Sequence, residues 1–359
     1  MRILHIINAL SGGGAERQLT YLAPELGRMG HDIHIAYSND GPDKPELPGV
    51  ILHRLKSLSN YDPRILWQLI RLIRHIKPDI IQTWIMQMDI IGGMAAKICG
   101  IPLIFREPSS GLVPAQMWKN YLRARMGSRA SAIISNSRGG DEYWKTIAPD
   151  DHRHIVSNAL PVDKIDKITA ALPKEIKEKK TPIVLYVGRM EEKQKRPKLF
   201  LEALACVRRK KKVFGVLCGE GPLLTELEEL KHELGLDDDV HFTGHLPAAS
   251  IWAIMKKSAA LVSPSAYEGC PNTVMEAMAC GCPLVISDIP SHREMIDEKC
   301  ALFVELSNIR QTADAVIQVI DNAESSKTRA LLAKQKTLIW SIAEMARNYE
   351  RVYKRCLRV

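Results

Sequence analysis

Two carboxylates eight positions apart, Glu268 and Glu276, flank Asn272 and Thr273 in the stretch LVSPSAYEGCPNTVMEAMACGCPLVISDIPSHRE at 261–294. Apolar runs at 259–263 and 283–286 read as buried strands, with a polar turn holding Glu268 and Gly269 and a helix starting near Asn272. A strand, turn and helix in this order presents a ligand at the C-terminal end of a parallel sheet. The helix start offers unpaired N–H groups and a partial positive charge, so its natural ligand is an anion such as a phosphate. Carboxylates on both sides would repel a bare phosphate, yet they accept hydrogen bonds from hydroxyls well. The combination points to a phosphate ester carrying polyols at both ends, the form of a nucleotide sugar with ribose on one side and hexose on the other. The same two residues also fit a blander reading, a solvated helix glutamate and a turn cap.

Two further groups belong with this chemistry. Arg189 and Lys195 follow an apolar run at 183–187 and precede a helix, a position from which two cations can neutralise a leaving diphosphate; a solvated charge run is the alternative. Near the start, SGGGAERQLTYLAPEL is a Gly-rich turn leading into a helix, where Gly12, Gly13 and Gly14 let backbone approach a bulky ligand. It matches neither a P-loop nor a dinucleotide fingerprint, and a purely structural tight turn fits it equally.

EGCPNTVMEAMACG resembles the E-x7-E signature of retaining glycosyltransferases with two Rossmann-like domains, and YEGxPN…EAMAxG in particular resembles glycosyltransferase family 4. The likeness runs from GGGAER to the C-terminal helix. It implies an α/β chain of GT-B type, with two Rossmann-like parallel-sheet domains facing a cleft and a C-terminal helix that crosses back to the first domain. The expected division is 1–165 on the acceptor side, 166–335 on the nucleotide-sugar side, and 336–359 as the returning helix.

The resemblance also implies roles. Glu268 holds the sugar hydroxyls and Glu276 the ribose, with Gly269 and Cys270 in the donor turn. Arg189, Lys195 and the amides around Asn272 and Thr273 meet the leaving group, so neither a cofactor nor a metal is required. GEGP at 219–222 brings Glu220 to the donor, the turn at 244–246 brings Leu246 to the base, and Gly13 and Gly14 lie against the donor phosphates and the acceptor. The reaction is hexose transfer from a nucleoside diphosphate sugar with retention, favouring front-side exchange over a covalent intermediate on Glu268. One departure stands out. Many members carry a histidine after the strand at 101–105, whereas this chain has Arg106-Glu107-Pro108-Ser109-Ser110-Gly111, which leaves Arg106 or Glu107 for the acceptor or sugar side. A sugar phosphorylase, a nucleotide-sugar epimerase and a non-catalytic partner subunit share this architecture.

Length and composition agree with such a protein. The 359 residues suit two ordinary domains, and 46% apolar with 25% charged residues is normal for a globular chain. Eight cysteines lie mostly in apolar runs with no C-x-x-C pair, which points to a reduced, cytoplasmic compartment. MRILHIINAL reads as a strand, not a signal peptide. Residues 1–180 hold 25 Lys/Arg against 18 Asp/Glu, whereas 181–359 hold 25 against 23, so the N-terminal half meets whatever is acidic. An anionic bilayer or a diphosphate-bearing acceptor fits. Nucleic acid does not, for want of a stacking pattern or binding module.

The elements that must position these residues follow from periodicity. Strands are expected near 2–8, 32–38, 50–55, 79–83, 101–105 and 132–136, with apolar residues at helical spacing over 65–76 marking a core-facing helix. QMWKNYLRARMGSR at 116–129 mixes Trp118 and Tyr121 with Lys119, Arg123 and Arg125; it reads as a surface helix or as one lying on an anionic bilayer at the inner face of the plasma membrane. Lys- and Pro-rich 161–182 reads as an interdomain linker. A glycan or lipid-linked acceptor is the expected second substrate.

Overall fold

The computed structural model describes residues 1–10, 13–40, 45–58, 62–107 and 117–357. The chain forms two compact units, Met1–Ala159 together with Trp340–Val359, and Leu160–Ile339.

In the first unit β1 (Arg2–Ala9), α1 (Gly14–Arg28), β2 (Asp32–Asn39), β3 (Val50–Arg54), α2 (Arg64–Ile76), β4 (Ile80–Trp84) and α3 (Met86–Cys99) are followed by β5 (Leu103–Glu107), α4 (Met117–Gly127), β6 (Ala132–Ser135), α5 (Arg138–Trp144) and β7 (Arg153–Ile155). The strands pair in parallel in the order β3-β2-β1-β4-β5-β6-β7. A parallel sheet needs both faces covered. Accordingly Ile3 and Ile7 of β1 join one core with Leu19, Leu22 and Leu26 of α1, while Leu4 and Ile6 join another with Leu69 and Ile73 of α2 and Trp144 of α5. The last helix, α15 (Ile342–Cys356), belongs to this unit. Its Met345, Tyr349 and Val352 lie on the α1 side of the sheet, Tyr349 stacks on Trp84, and the Tyr353 hydroxyl donates to Gln82.

His5 sits in the same core, fully buried, with its Nδ1 accepting from Trp84 Nε1 at 3.2 Å. Burial lowers its pKa to about 3. The folded chain therefore refuses a proton that the unfolded chain takes up near 6.5, and the stability this provides is complete above that value and lost as pH falls toward 3. Moving from pH 7 to pH 5 is expected to cost about 2 kcal/mol through His5 alone. The check is the shift in urea midpoint between the two pH values, which should shrink in His5→Gln; an equal shift in both proteins would exclude His5 as the cause.

The second unit contains α6 (Val162–Asp166), α7 (Lys174–Lys177), β8 (Ile183–Val187), α8 (Pro197–Arg208), β9 (Phe214–Cys218), α9 (Leu224–Glu233), β10 (Val240–Gly244), α10 (Ala248–Lys257), β11 (Ala260–Ser263), α11 (Asn272–Cys280), β12 (Leu284–Ser287), α12 (Pro290–Met295), β13 (Leu302–Val304), α13 (Ile309–Asp321) and α14 (Ala323–Lys336). Its sheet is again parallel, in the order β10-β9-β8-β11-β12-β13. The stretch read as a linker at 161–182 is part of this unit. Ile165 and Ile176 are fully buried, and Lys257 Nζ donates to the carbonyls of Ile176 and Lys177 at 2.7 Å. Its lysine content hid two short helices anchored by single isoleucines.

None of the eight cysteines is in a disulfide. Among the described residues no helix is long and apolar enough to cross a membrane.

Candidate active site

In each sheet the strand order reverses once, between β1 and β4 and between β8 and β11. Loops leaving the C-terminal ends of two such strands diverge to opposite faces and open a crevice, where ligands bind in open α/β sheets. In the second unit the loop after β8 carries Arg189 and Lys195, and the turn after β11 carries Glu268. Lys195 Nζ lies 2.5 Å from Glu268 Oε1, and the Glu268 side chain is 7% exposed against 22% for Lys195. Gln194 holds the other carboxylate oxygen, Nε2 to Oε2 at 3.2 Å, and also donates to the Tyr267 carbonyl. Backbone ties the two loops as well, Ala266 N donating to Gln194 O at 2.7 Å, and within the β8 loop Gln194 N donates to Glu191 Oε1 at 2.6 Å. Arg189 is exposed, beside a Tyr186 hydroxyl that donates to its carbonyl. Burial, then the nearby Glu268 charge, holds the Tyr186 phenol well above its ordinary value.

Helix α11 begins at Asn272, and its N-cap residue Pro271 makes no side-chain cap hydrogen bond. Asn272 and Thr273 are partly exposed, as are Gly269 and Cys270. Cys270 Sγ contacts Met275 Sδ at 3.4 Å. Glu276, a turn further in, is 3% exposed, which removes the solvated-glutamate reading. A carboxylate at that depth, one turn behind the helix start, suits a ligand hydroxyl entering there.

The neighbouring strand ends approach closely. Gly188 N donates to Cys218 O at 3.0 Å, Gly219 N to Gly244 O at 2.9 Å, and His245 N to Glu220 Oε1 at 3.3 Å. Glu220 is exposed and Leu246 half-buried on these loops. At Gly219 φ is +135° and a Cβ would lie 2.0 Å from the Gly188 carbonyl oxygen, so both conformation and space demand glycine. Gly219→Ala is expected to destabilise the unit by at least about 2 kcal/mol. Gly281→Ala, at a left-handed helix end with nothing within 4 Å, should cost about 1 kcal/mol. Parallel urea titrations would test the ranking, and equal costs would contradict it.

The remaining sequence-derived residues lie in the first unit. Gly13 and Gly14, both exposed, open α1 at the end of β1, beside that sheet's own switch point; Gly12 lies outside the described residues. Arg106 and Glu107, read from the sequence as candidates for the acceptor or sugar side, are 1% exposed each. They end β5 pointing to opposite faces. Arg106 donates to Asn158 Oδ1 at 2.8 Å and lies over the Trp84 ring, while Glu107 accepts from Arg123 at 2.6 Å and Trp144 at 3.1 Å. Arg123 meets the Glu107 charge, whereas Arg106 is held by neutral acceptors and the Trp84 ring. The stretch 108–111 is outside the described residues.

Two groups escaped the sequence reading. His292 is fully buried; its Nδ1 lies 2.7 Å from the Ser287 carbonyl, and Ser287 Oγ donates to Ser265 O at 2.6 Å, so the histidine buttresses the end of β12 against the Glu268 turn. Burial lowers its pKa, and the neutral ring must carry its proton on Nδ1 to serve that carbonyl. The only signal was a histidine just after a strand, which is weak. Glu16, in the first turn of α1, folds its carboxylate over Gly13, and burial raises its pKa. Among the described residues no cluster of three or more His, Cys, Asp or Glu is placed to hold a metal. The acidic run Asp237-Asp238-Asp239 precedes β10 at the opposite strand end from Glu268, with Asp237 on His232 and Asp239 on Arg208.

Comparison with known proteins places this geometry. Residues 12–164 match the model described as Glycosyltransferase Family 4, and 168–336 match Glycosyl transferases group 1. The N-acetylgalactosamine-N,N'-diacetylbacillosaminyl-diphospho-undecaprenol 4-alpha-N-acetylgalactosaminyltransferase of Campylobacter jejuni is 26% identical over 95% of this chain and 96% of its own. The alpha-D-kanosaminyltransferase of Streptomyces kanamyceticus is 27% identical over 64% of each chain. Among solved structures, Anabaena Alr3699/HepE in complex with UDP-glucose superimposes with a TM-score of 0.85 at 18% identity, covering 99% of this chain and 100% of that one.

Proposed function

We propose a donor, an acceptor and a chemistry for a chain that belongs to glycosyltransferase family 4, the group 1 glycosyltransferases, and has the GT-B fold. The donor is a UDP-hexose and the acceptor a lipid-linked glycan at the cytoplasmic face of a membrane, in the assembly of a surface polysaccharide or related glycoconjugate. The hexose is transferred with retention. The observation that carries this reading is the Lys195–Glu268 pair joining the loops on either side of the β8/β11 switch point.

The pair gives a concrete division of labour. The Lys195 ammonium and the exposed Arg189 face the diphosphate as it departs, and the N-terminal end of α11 adds partial positive charge there. Glu268, held through both oxygens by Lys195 and Gln194, accepts from sugar hydroxyls and steadies positive charge developing at the anomeric carbon. Glu276 receives the ribose. Front-side attack by the acceptor hydroxyl on an oxocarbenium-like centre then needs no covalent intermediate. Two relatives support the substrate classes: the printed name of an Escherichia coli protein, 24% identical over 73% of this chain, is UDP-Gal:alpha-D-GlcNAc-diphosphoundecaprenol alpha-1,3-galactosyltransferase, and the C. jejuni relative also acts on a diphospho-undecaprenol.

The test is a panel of UDP-hexoses with a polyprenyl-diphosphate-linked saccharide, reading UDP release and the anomeric configuration of the product by NMR. UDP release with an axial anomeric bond retained is the expected result. Sugar 1-phosphate made with inorganic phosphate, or a donor epimerised without acceptor, would overturn the transferase reading in favour of the phosphorylase or the epimerase. Donor binding is checked separately by thermal shift, where a ligand at a hundred times its Kd adds about 2.7 kcal/mol.

A further inference from the structure

Strand β7 is the last of the first sheet and pairs on one side, with β6, which leaves its other edge open. Between β7 and α15 lies a cavity of about 410 Å³, and all the residues lining it belong to the first unit. Its wall is cationic. Arg351 and Arg355, one helical turn apart on α15, join Arg153 and His154 of β7 there. Two carboxylates also line it, Asp141 and Asp150, but both are bound by Arg153. Arg351 shares Glu344 with Arg347, and among the described residues Arg355 has no ion-pair partner. The Arg153 side chain is 8% exposed; its terminal nitrogens hold the two aspartates, while Nε is buried with no partner. A buried N–H left unpaired is costly, so it marks a place where an acceptor belongs.

We propose that this cavity binds a small soluble phosphate ester, its phosphate oxygens meeting Arg351, Arg355, His154 and the Arg153 Nε. Guanidinium forks match the oxygens of a phosphate, and three arginines outnumber the two carboxylates in the wall. The volume lies within the range of small-molecule sites, roughly 300–1,000 Å³, and leaves room for a carbon skeleton beside Val156 and Val352. Asn348 and the aspartates can take up its hydroxyls. A flat partner, whether bilayer or protein face, would reach the exposed Arg355 but not the buried Nε of Arg153. A ligand there bridges the sheet edge to the last helix and so stabilises the first unit. None of these residues is assigned to the donor or to the chemistry of transfer, and the site stands independently of that reading.

His154 supplies a signature. Burial, then the charges of Arg355 and His152, lower its pKa against the opposing pull of Asp151 and Asp141, so the ring is neutral at pH 7. A bound oxyanion favours the charged ring, draws a proton onto it, and should bind more tightly as pH falls.

The experiment is calorimetric titration of the full chain with glucose 6-phosphate, glucose and sulfate. Glucose 6-phosphate is expected to bind and glucose not to. Arg351→Gln/Arg355→Gln should weaken the ester about ten-fold or more, whereas Lys195→Ala should leave it unchanged. Sulfate keeps its charge between about pH 6 and 8, so its tighter binding at the lower pH, with proton uptake, reports the imidazole and should vanish in His154→Gln. Thermal melts verify that the variants fold. Loss of the ester in Lys195→Ala but not in the arginine variant would place it in the donor site and overturn the proposal. No binding of ester or sulfate would overturn it too, as would equal binding of glucose or capture of phosphatidylglycerol vesicles by the same arginines without binding of the soluble ester.

Discussion

Replacing Lys195 by alanine is expected to lower kcat by about 10²–10³-fold, with a smaller change in KM. The reasoning starts from the pair itself. At 2.5 Å, with Glu268 almost wholly buried, the ammonium is the main counter-charge to that carboxylate, and in the proposed reaction it would face the leaving diphosphate. On the proposed function its removal would subtract from the transition state more than from the bound donor, which would keep its contacts with α11. A merely structural ion pair would behave differently. The single variant would then lose stability, because breaking a buried pair costs about 3–5 kcal/mol, less here because Lys195 is partly exposed. Activity would fall only as far as folding does. The double variant Lys195→Met/Glu268→Gln separates the cases, since it removes both charges and should restore much of the melting temperature. Restored stability with turnover still depressed supports the assigned role. Turnover returning with stability would reduce the pair to scaffolding.

Arg123→Met should have the largest effect on stability, about 3–5 kcal/mol at neutral pH. Arg123 Nε donates to Asp89 Oδ2 at 2.7 Å and Nη1 to Glu107 Oε2 at 2.6 Å, with the guanidinium over the Trp144 ring. Thr83 Oγ1 completes Asp89 at 2.6 Å and Trp144 Nε1 completes Glu107. Burial alone would lower the arginine pKa, but the two carboxylates outweigh it and hold the guanidinium firmly protonated. Burial already raises the folded pKa of Asp89 against the pull of Arg123, and without that guanidinium it rises further above the unfolded value near 4. A raised folded pKa gives stability that is present at low pH and lost as pH rises. The deficit of Arg123→Met should therefore be larger at pH 7 than at pH 5. Urea titrations of the first unit's transition at the two pH values provide the measurement. A deficit below about 1 kcal/mol, or one that grows on acidification, would refute the account.

The sequence by itself determined the fold class and the region of the site. Continuous apolar runs must become strands covered on both faces, so a parallel sheet was legible from residues 2–8 or 183–187, and the parallel sheets of 7 and 6 strands bear this out. The motif around Glu268 is local, spanning one strand end, a turn and a helix start, and local geometry is what short-range spacing encodes; the helix does begin at Asn272. That stretch lies within the match to Glycosyl transferases group 1 at 168–336, while the Glycosyltransferase Family 4 match covers 12–164. What the tertiary structure alone decided were the partners of charged side chains. Arg106, Glu107 and Arg123 read as solvent-facing or ligand-facing because charge is costly to bury, yet each is buried against a group supplied from elsewhere in the chain. Nothing in periodicity announces that Asp89 awaits a residue 34 positions later. The same holds for Lys195 and Glu268, 73 positions apart, which meet only because β8 and β11 are neighbours in the sheet. The lysine-rich 161–182 failed in the other direction, since composition averages away the two isoleucines that pin it. Pattern specifies which faces turn inward, and the pairing of polar groups across distant segments is settled only when those faces have packed.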